Sequence, residues 1–242
     1  MSVYDAIARL YDPWSRSVVE DVEFYVEQAR RSGGPVLELG VGTGRIAVPT
    51  AAAGIEVVGV DSSAGMLEIA RERAALAGVG LDLRLGDFRD PPVEGPLPLV
   101  TIPFRSVLHM QSDADRRAVL GAVHRLLAPQ GRFVFDVFCP AAQDIAETHA
   151  RWLEREPGIF ERADWDEARQ RLTLRVRGRG AEAKLDLAWL SVSQWRELLG
   201  SEGFVVEELY GWFDHSPWDG HEDSIWVCAK RPPAHGAARS AL

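Results

Sequence analysis

One short stretch limits the possible folds of this chain more than any other. An apolar run over residues 35–39 is followed by three glycines at alternate positions, Gly40, Gly42 and Gly44. The run is typical of a buried strand, and residues 46–53 are typical of a helix. A glycine turn between a strand and a helix lets a ligand come close to the backbone, because no Cβ intervenes. The stretch therefore predicts a ligand site where the first strand ends.

Two classes of cofactor-binding protein use such a turn. Dinucleotide-binding proteins have the pattern G-x-G-x-x-G, whose third glycine allows close packing of helix on strand. Here Arg45 occupies that third position, and an acid, Glu38, lies inside the strand. The pattern E-x-G-x-G-x-G resembles motif I of the class I S-adenosylmethionine (SAM)-dependent methyltransferases. The resemblance implies that the loop lies under the methionine part and ribose of SAM, and that Glu38 holds the loop by hydrogen bonds. A nicotinamide-binding fold and a glycine turn without a ligand stay open as alternatives at this point.

The composition narrows the class of protein. The 242 residues are 46% hydrophobic, which is enough for one large α/β domain with a small insertion. A net charge of −9 argues against a nucleic-acid duplex or an anionic membrane as the main partner, because both require a basic surface. Cys139 and Cys228 are the only cysteines, so the sequence predicts neither a disulfide framework nor a metal site. With no long apolar run and no signal pattern, a cytoplasmic protein is expected.

Strand and helix patterns alternate through the first 140 residues and predict a doubly wound α/β fold. The five strands there are expected to be parallel, so that their carboxyl ends share one edge of the sheet, where ligands bind. These strands are predicted at residues 35–39, 55–60, 81–85, 99–103 and 132–138, with a turn at 129–131. The last third predicts an antiparallel β insertion at 159–164, 171–177 and 183–190, then a helix at 193–199 and strands at 204–213 and 224–230. With the final pair, the main sheet is expected to be a mostly parallel, seven-stranded, Rossmann-like methyltransferase sheet.

The N-terminal region is expected to form a helical lid. Residues 3–10 predict one or two helical turns that Pro13 ends, and Ser17 is predicted to cap a helix that reaches Arg31 with Val18 in its apolar stripe. The expected organisation is a lid at 1–34, a SAM-binding core at 35–140, a substrate-side helix and β insertion at 141–192, a final helix and strands of the core sheet at 193–231, and a disordered tail at 232–242.

Acidic residues end the next two predicted strands. Asp61 ends the second strand and resembles motif II of the family, where a carboxylate accepts both ribose hydroxyls; a solvated loop acid is the alternative. Asp87 and Phe88 end the third strand, and the resemblance implies that Asp87 faces the adenine amino group while Phe88 packs on the ring. Met66 is expected on the other side of adenine or in the core. The predicted cofactor-binding residues are Tyr11, Trp14, Glu38, Gly40, Gly42, Gly44, Arg45, Asp61, Ser62, Met66, Asp87, Phe88 and Pro103.

The stretch after the fourth strand should face the methyl group. Residues 103–109 lack the N/D-P-P-Y tetrapeptide of nucleic-acid and protein-glutamine N-methyltransferases. They resemble the motif IV region of small-molecule N- and O-methyltransferases, especially sugar and amine N-methyltransferases of bacterial secondary metabolism. The resemblance implies that His109 and Tyr11 lie around the acceptor atom. His109 is expected to act as a base with a pKa near neutrality, and Tyr11 to orient the acceptor.

Aromatic side chains are expected to line both parts of the site. An aromatic face beside the SAM sulfonium is favourable, which assigns Tyr11 and Trp14 to the cofactor. Four late tryptophans, among them Trp218, could line an apolar substrate mouth or pack the insertion over the sheet. Trp165 and Trp195 are assigned to packing or to a homodimer contact. The predicted substrate-binding residues are Arg105, for a carboxylate or phosphate, with His109, Phe138, Trp152, Trp189 and Trp212.

These features predict an enzyme that moves a methyl group from SAM to a nitrogen or oxygen of a small-molecule acceptor. The reaction would be an in-line displacement, accelerated by alignment and exclusion of water, with S-adenosylhomocysteine (SAH) as product. The alternatives are a SAM-using enzyme that transfers no methyl group, such as a cyclase, a nicotinamide dehydrogenase, and a SAM-binding protein without catalysis.

Overall fold

The computed structural model describes residues 2–15 and 19–231, and within them the main element is a seven-stranded sheet. Across the sheet the strands are β10 (Phe204–Tyr210), β11 (Asp223–Lys230), β5 (Leu127–Phe138), β4 (Leu97–Ile102), β1 (Val36–Leu39), β2 (Val57–Asp61) and β3 (Asp82–Leu85). Strands β1 to β5 are parallel to one another, and β11 is antiparallel to both β5 and β10. The predicted doubly wound, mostly parallel sheet is confirmed.

Helices cover both faces of this sheet. In the described ranges the α-helices are α1 (Ala8–Trp14), α2 (Glu20–Ser32), α3 (Ala47–Ala52), α4 (Ala64–Ala77), α5 (Asp113–Leu126), α6 (Ala142–Thr148) and α7 (Val192–Ser201), with 3-10 turns at Val3–Ala6 and Ser106–His109. Alternate residues of β5 separate two cores: Phe133 and Phe135 lie in the core that contains α5, and Val134 lies in the core that contains α2. This alternation follows from the two-residue period of a strand.

A second sheet lies over the carboxyl edge of the first. It is an antiparallel meander of β6 (Trp152–Glu156), β7 (Ile159–Asp166), β8 (Arg171–Gly178) and β9 (Ala181–Ala188). The apolar residues Leu172, Leu174 and Val176 alternate along β8 and join the α5-side core, because one face of this sheet is buried. The predicted antiparallel insertion is therefore confirmed.

Three local predictions are corrected. The insertion has a fourth strand, β6, which the sequence does not signal because an edge strand with few apolar residues lacks alternation. The expected turn at Pro129 lies inside β5, where the register with β4 shifts and an irregular ladder tolerates a missing N–H donor. Pro13 does not end α1, which continues to Trp14 and loses one backbone hydrogen bond there.

Two features predicted from the sequence fall outside the described residues. They are the helix cap at Ser17 with Val18 in the apolar stripe, and the disordered tail at 232–242.

An ion pair fixes α2 against the glycine turn. Both carboxylate oxygens of Asp21 accept hydrogen bonds of 2.6 Å from the two terminal nitrogens of Arg45. Asp21 is fully buried, and Arg45 also lies 4.7 Å from the ring centroid of Phe104. The bidentate pair therefore joins α2 to the backbone that follows β1, in a region from which water is largely excluded.

Asp21→Ala should lower the free energy of unfolding by about 3 kcal/mol, because it removes the carboxylate from a largely buried guanidinium. Urea unfolding measures this loss. As a matched control, Glu23→Ala on the same helix removes an exposed ion pair with Arg30 and should cost less than about 0.5 kcal/mol. Equal losses in the two variants would contradict a structural role for the buried pair.

Candidate active site

The glycine turn after β1 is held by the carboxylate of Asp61. The backbone N–H of Gly42 donates to Asp61 Oδ2 at 2.9 Å, and the N–H of Ser63 donates to Oδ1 at 2.8 Å. Asp61 ends β2 and Ser63 caps α4, so this one side chain joins the turn, the strand and the helix. Burial raises the pKa of Asp61, and the two backbone donors oppose that rise.

A cavity opens directly above this turn and is called the turn cavity here. Its lining combines the N-terminal segment, the turn, the ends of β2 and β3, and the 3-10 turn Ser106–His109. A Cβ added to Gly40, whose φ is +77°, would come within 2.8 Å of the Phe88 ring, so the close approach requires glycine. Eight residues of the predicted cofactor set line it: Tyr11, Gly40, Gly42, Asp61, Ser62, Met66, Asp87 and Phe88.

Three other members of the predicted cofactor set lie around the turn rather than in the cavity lining. Glu38 is buried within β1, and burial raises its pKa to about 8. Gly44 packs against α4, since an added Cβ would lie 3.3 Å from Ala70. The Pro103 carbonyl accepts a 2.7 Å hydrogen bond from Ser106 Oγ. Their placement suits support of the turn and of the loop after β4.

Arg45 and Trp14, the last two members of the predicted cofactor set, do not line the turn cavity. Arg45 pairs with Asp21 as described above, and Trp14 donates its indole N–H to Glu161 at 2.9 Å. Trp14 lines a second cavity, not the turn cavity. Neither side chain therefore lies on the side of the glycine turn that faces the turn cavity.

The carboxylate of Asp87 is already partly engaged. Arg89 donates to it from its side chain at 2.6 Å and from its backbone N–H at 2.8 Å, and also reaches Asp115 at 2.7 Å. These hydrogen bonds lower the pKa of Asp87, so the group is a carboxylate at neutral pH. An ionised Asp87 at the cavity wall can accept a hydrogen bond from an amino group.

The N-terminal segment closes one side of the turn cavity through two carboxylates. Asp5 Oδ1 accepts from Ser63 Oγ at 2.6 Å and from the Gly65 N–H at 3.1 Å, at the beginning of α4. Asp12 accepts from Thr43 Oγ1 at 2.6 Å and pairs with Arg73. The segment is therefore tied to the turn and to α4 on both sides of the cavity.

A larger cavity of about 740 Å³ lies between the two sheets and is called the inter-sheet cavity here. Phe104, Arg105 and Phe138 contribute from the edge of the main sheet, and Leu174 and Leu185 contribute from the inner face of the second sheet. The turn cavity and the inter-sheet cavity have four lining residues in common: Tyr4, Tyr11, Ser106 and His109. These four residues form the neck where the two cavities meet.

Tyr4 and His109 are in contact at this neck. The Tyr4 hydroxyl lies 2.7 Å from His109 Nε2, and the Tyr4 ring meets Tyr11 edge-on at 5.8 Å between centroids. The sequence reasoning missed Tyr4. Tyr4 precedes Tyr11 by seven residues, which is about two helical turns. This spacing indicates that the two rings lie on one face of a helical segment.

Burial changes the chemistry expected of His109. It lowers the pKa of His109 to about 4, so the imidazole is neutral throughout the physiological range. The prediction of a His109 pKa near neutrality is therefore wrong. The sequence indicates where the ring lies in the chain, but it does not show that folding removes water from around the ring.

The profile of a family described as a methyltransferase domain matches residues 36–131. An uncharacterized methyltransferase of Geobacillus kaustophilus (strain HTA426) is 33% identical over an alignment 141 residues long, which covers 52% of this chain and 64% of that protein. The chain thus spans just under two thirds of that relative's length. The solved structure of the CcbJ methyltransferase from Streptomyces caelestis is 26% identical, with a TM-score of 0.81 over 96% of this chain and 99% of that one. Residues 36–131 thus match a methyltransferase domain, and the chain shares its fold with solved methyltransferases.

One solved structure with the same fold holds SAM. A SAM-bound amino pentose methyltransferase from Micromonospora echinaspora, CalS10, has the same fold, with 19% identity and a TM-score of 0.62 over 93% of this chain and 97% of that one. The turn cavity suits SAM chemically. Both oxygens of Asp61 keep a lone pair for ribose hydroxyls, and the Phe88 ring offers an apolar face for adenine.

The inter-sheet cavity is acidic. Five carboxylic side chains line it against two arginines: Asp144, Glu147, Glu154, Glu161, Glu222, Arg105 and Arg155. Both arginines are already paired, Arg105 with Asp223 at 2.6 Å and Arg155 with Glu161 at 2.8 Å. Burial raises the pKa of Glu222 to about 7, and a hydrogen bond with Asp144 adds to the rise.

The tryptophans are placed differently from the sequence expectation. Trp165, assigned to packing or a dimer contact, lines the inter-sheet cavity. Trp152, Trp189 and Trp212 are absent from its described lining: Trp152 lies under Arg177 at 4.0 Å, Trp189 faces another cavity, and Trp212 packs on Phe213. Their placement gives no support to a tryptophan-lined substrate mouth, whereas Arg105, His109 and Phe138 do line the cavity.

None of the helices in the described part of the chain combines the length and the apolar character that a membrane span requires.

Asp61→Ala should weaken SAH binding by about 1.5–3 kcal/mol, because the carboxylate is lost as a hydrogen-bond acceptor for the ligand and for the turn. The melting temperature without ligand should also fall, since Gly42 and Ser63 lose their acceptor. Calorimetry and thermal unfolding measure the two effects. Asp82→Ala, which removes an exposed acid paired with Arg84 on β3, should leave SAH affinity unchanged. Parental affinity in Asp61→Ala would exclude Asp61 from the cofactor site.

Proposed function

We propose that this methyltransferase transfers the methyl group of SAM to the nitrogen of a small-molecule amine. The observation that carries the proposal is the meeting of the turn cavity with the inter-sheet cavity at a four-residue neck. A donor in the first cavity and an acceptor in the second would face each other there. A cavity of about 740 Å³ is within the size range of small-ligand sites.

The acidic lining favours an amine over an alcohol. Since the guanidinium groups of Arg105 and Arg155 are paired with carboxylates, the excess charge of the inter-sheet cavity is negative. A partly enclosed acidic cavity attracts cations, and an alkyl amine enters as an ammonium ion at neutral pH. A neutral alcohol would gain nothing from this charge.

The cofactor supplies an electrophilic methyl group on a positively charged sulfur. We assign Asp61 to the ribose hydroxyls, Asp87 to the adenine amino group, and Phe88 with Met66 to the two faces of adenine. Tyr4 and Tyr11, both partly buried at the neck, would exclude water and present aromatic faces beside the sulfonium. Most of the acceleration would come from holding the nitrogen in line with the carbon–sulfur bond.

The acceptor must lose a proton before its lone pair can attack. We assign this proton to the Asp144–Glu222 pair, because Glu222 titrates near neutrality and faces the cavity. His109 is too weak a base for an ammonium ion, so its ring would orient the acceptor together with Tyr4. The carbon–nitrogen bond then forms as the carbon–sulfur bond breaks, leaving SAH and a methylated amine.

A paired acceptor panel tests the proposal. SAM with a labelled methyl group is incubated with small amines and with alcohols of matched shape, and the products are identified by mass spectrometry. Transfer of the labelled methyl group to amines would support the proposal. Transfer to alcohols alone would overturn the assignment of nitrogen as the acceptor atom. Consumption of SAM without a methylated product would indicate a non-methylating reaction, and SAM binding without any turnover would indicate a non-catalytic SAM-binding protein.

For the best amine, kcat/KM should rise through a pKa near 7 as Glu222 loses its proton. Glu222→Gln should abolish this rise. His109→Gln should retain the rise while lowering kcat by about 10²-fold, because orientation is lost but the titrating carboxyl remains. A rise that persists in Glu222→Gln and disappears in His109→Gln would assign the base to His109 instead.

A further inference from the structure

A third cavity lies away from the active site and is called the arginine cavity here. It occupies about 600 Å³ between α5, α7 and the start of β8. Four arginines line it: Arg116, Arg117, Arg169 and Arg171. Such a concentration is unusual in a chain whose net charge is −9.

Two of these guanidinium groups have buried donors without partners. Arg116 is 5% exposed, and its Nε makes no hydrogen bond with any described residue. Arg171 Nη1 is also buried and makes no hydrogen bond with any described residue. Arg171 forms no ion pair within the described part of the chain. A buried charged donor without an acceptor is costly, and both residues line the cavity, so an anion bound there would compensate guanidinium groups that the described residues compensate only in part.

The neighbouring carboxylates compensate these two guanidinium groups only in part. Among the described residues Asp113 accepts only from Arg116 Nη1, at 2.8 Å, while Arg117 pairs with Glu202 and Arg169 pairs with Asp166. Glu197 also lines the cavity, but it is exposed and makes no ion pair with a described residue. The buried charge in the cavity is therefore positive, and the two carboxylates that line it, Asp113 and Glu197, are exposed.

The floor and rim suit a small bound molecule. Trp189 and Leu198, both buried, give an apolar floor, and the side chains of Gln170 and Gln194 join across the rim at 3.0 Å. Ser112 and Gln111 add polar groups on the α5 side. Guanidinium groups bind planar carboxylates and phosphates through paired hydrogen bonds.

We propose that the arginine cavity is a second ligand site, for a small molecule that carries a phosphate or carboxylate group, with Arg116 and Arg171 as its anchors. The site is separate from the turn cavity and the inter-sheet cavity, and it requires neither SAM nor the methyl acceptor. The proposal therefore stands or falls independently of the proposed function.

Calorimetry on the full chain saturated with SAH tests the site, because the cofactor position is then blocked. Inorganic phosphate and malonate are titrated separately, so the two arms distinguish the phosphate from the carboxylate source. At least one anion should bind saturably at millimolar concentration. Arg171→Gln should weaken that binding by about tenfold or more, as expected for the loss of a charge-assisted hydrogen bond.

Two further variants control for charge and folding. Arg179→Gln removes the same charge from the turn at the far end of β8 and should leave anion affinity within about twofold, since a distant exposed charge is screened. Glu197→Gln removes the opposing carboxylate and should tighten binding. Unchanged SAH affinity verifies that each variant is folded. Binding of neither anion by the parent, or equal binding by the parent and Arg171→Gln, would overturn the proposal.

Discussion

The cofactor side of the structure depends on one buried carboxylate. Asp61 is 8% exposed, and its two oxygens accept the N–H groups of Gly42 and Ser63. Placing this charge under the turn is unfavourable by itself, and the two backbone donors offset the loss of hydration. The same oxygens retain acceptor capacity for ribose hydroxyls, so the group that shapes the turn is also suited to hold the ligand.

The acceptor side depends on how the N-terminal segment is held. Asp5 binds the beginning of α4 and Asp12 binds Thr43 in the turn, which brings Tyr4 and Tyr11 to the neck between the cavities. We interpret the segment as a lid, because a bound cofactor would lie beneath it. Its anchoring carboxylates are only partly buried, and hydrogen bonds at such positions break more easily than those in the core.

The sequence predicted the architecture because its signals are local. The glycine turn, Asp61 at a strand end and the alternation of strands with helices each depend on a few neighbouring residues, and they predicted the sheet and the placement of eight residues around the turn cavity. What failed depends on contacts between distant residues. The pKa of His109 follows from burial by the second sheet and the N-terminal segment, and Arg45, in the turn after β1, is held by Asp21 on α2. Trp165 lines the inter-sheet cavity through the packing of a meander whose first strand has no clear pattern.

The central claim is that donor and acceptor meet at the neck formed by Tyr4, Tyr11, Ser106 and His109. A crystal structure of the protein with SAH tests this most directly. We expect the ribose hydroxyls to donate hydrogen bonds to Asp61 and adenine to lie against Phe88. The sulfur should face the neck and the inter-sheet cavity. SAH bound in another cavity, or bound in the turn cavity with its sulfur directed away from the neck, would contradict it.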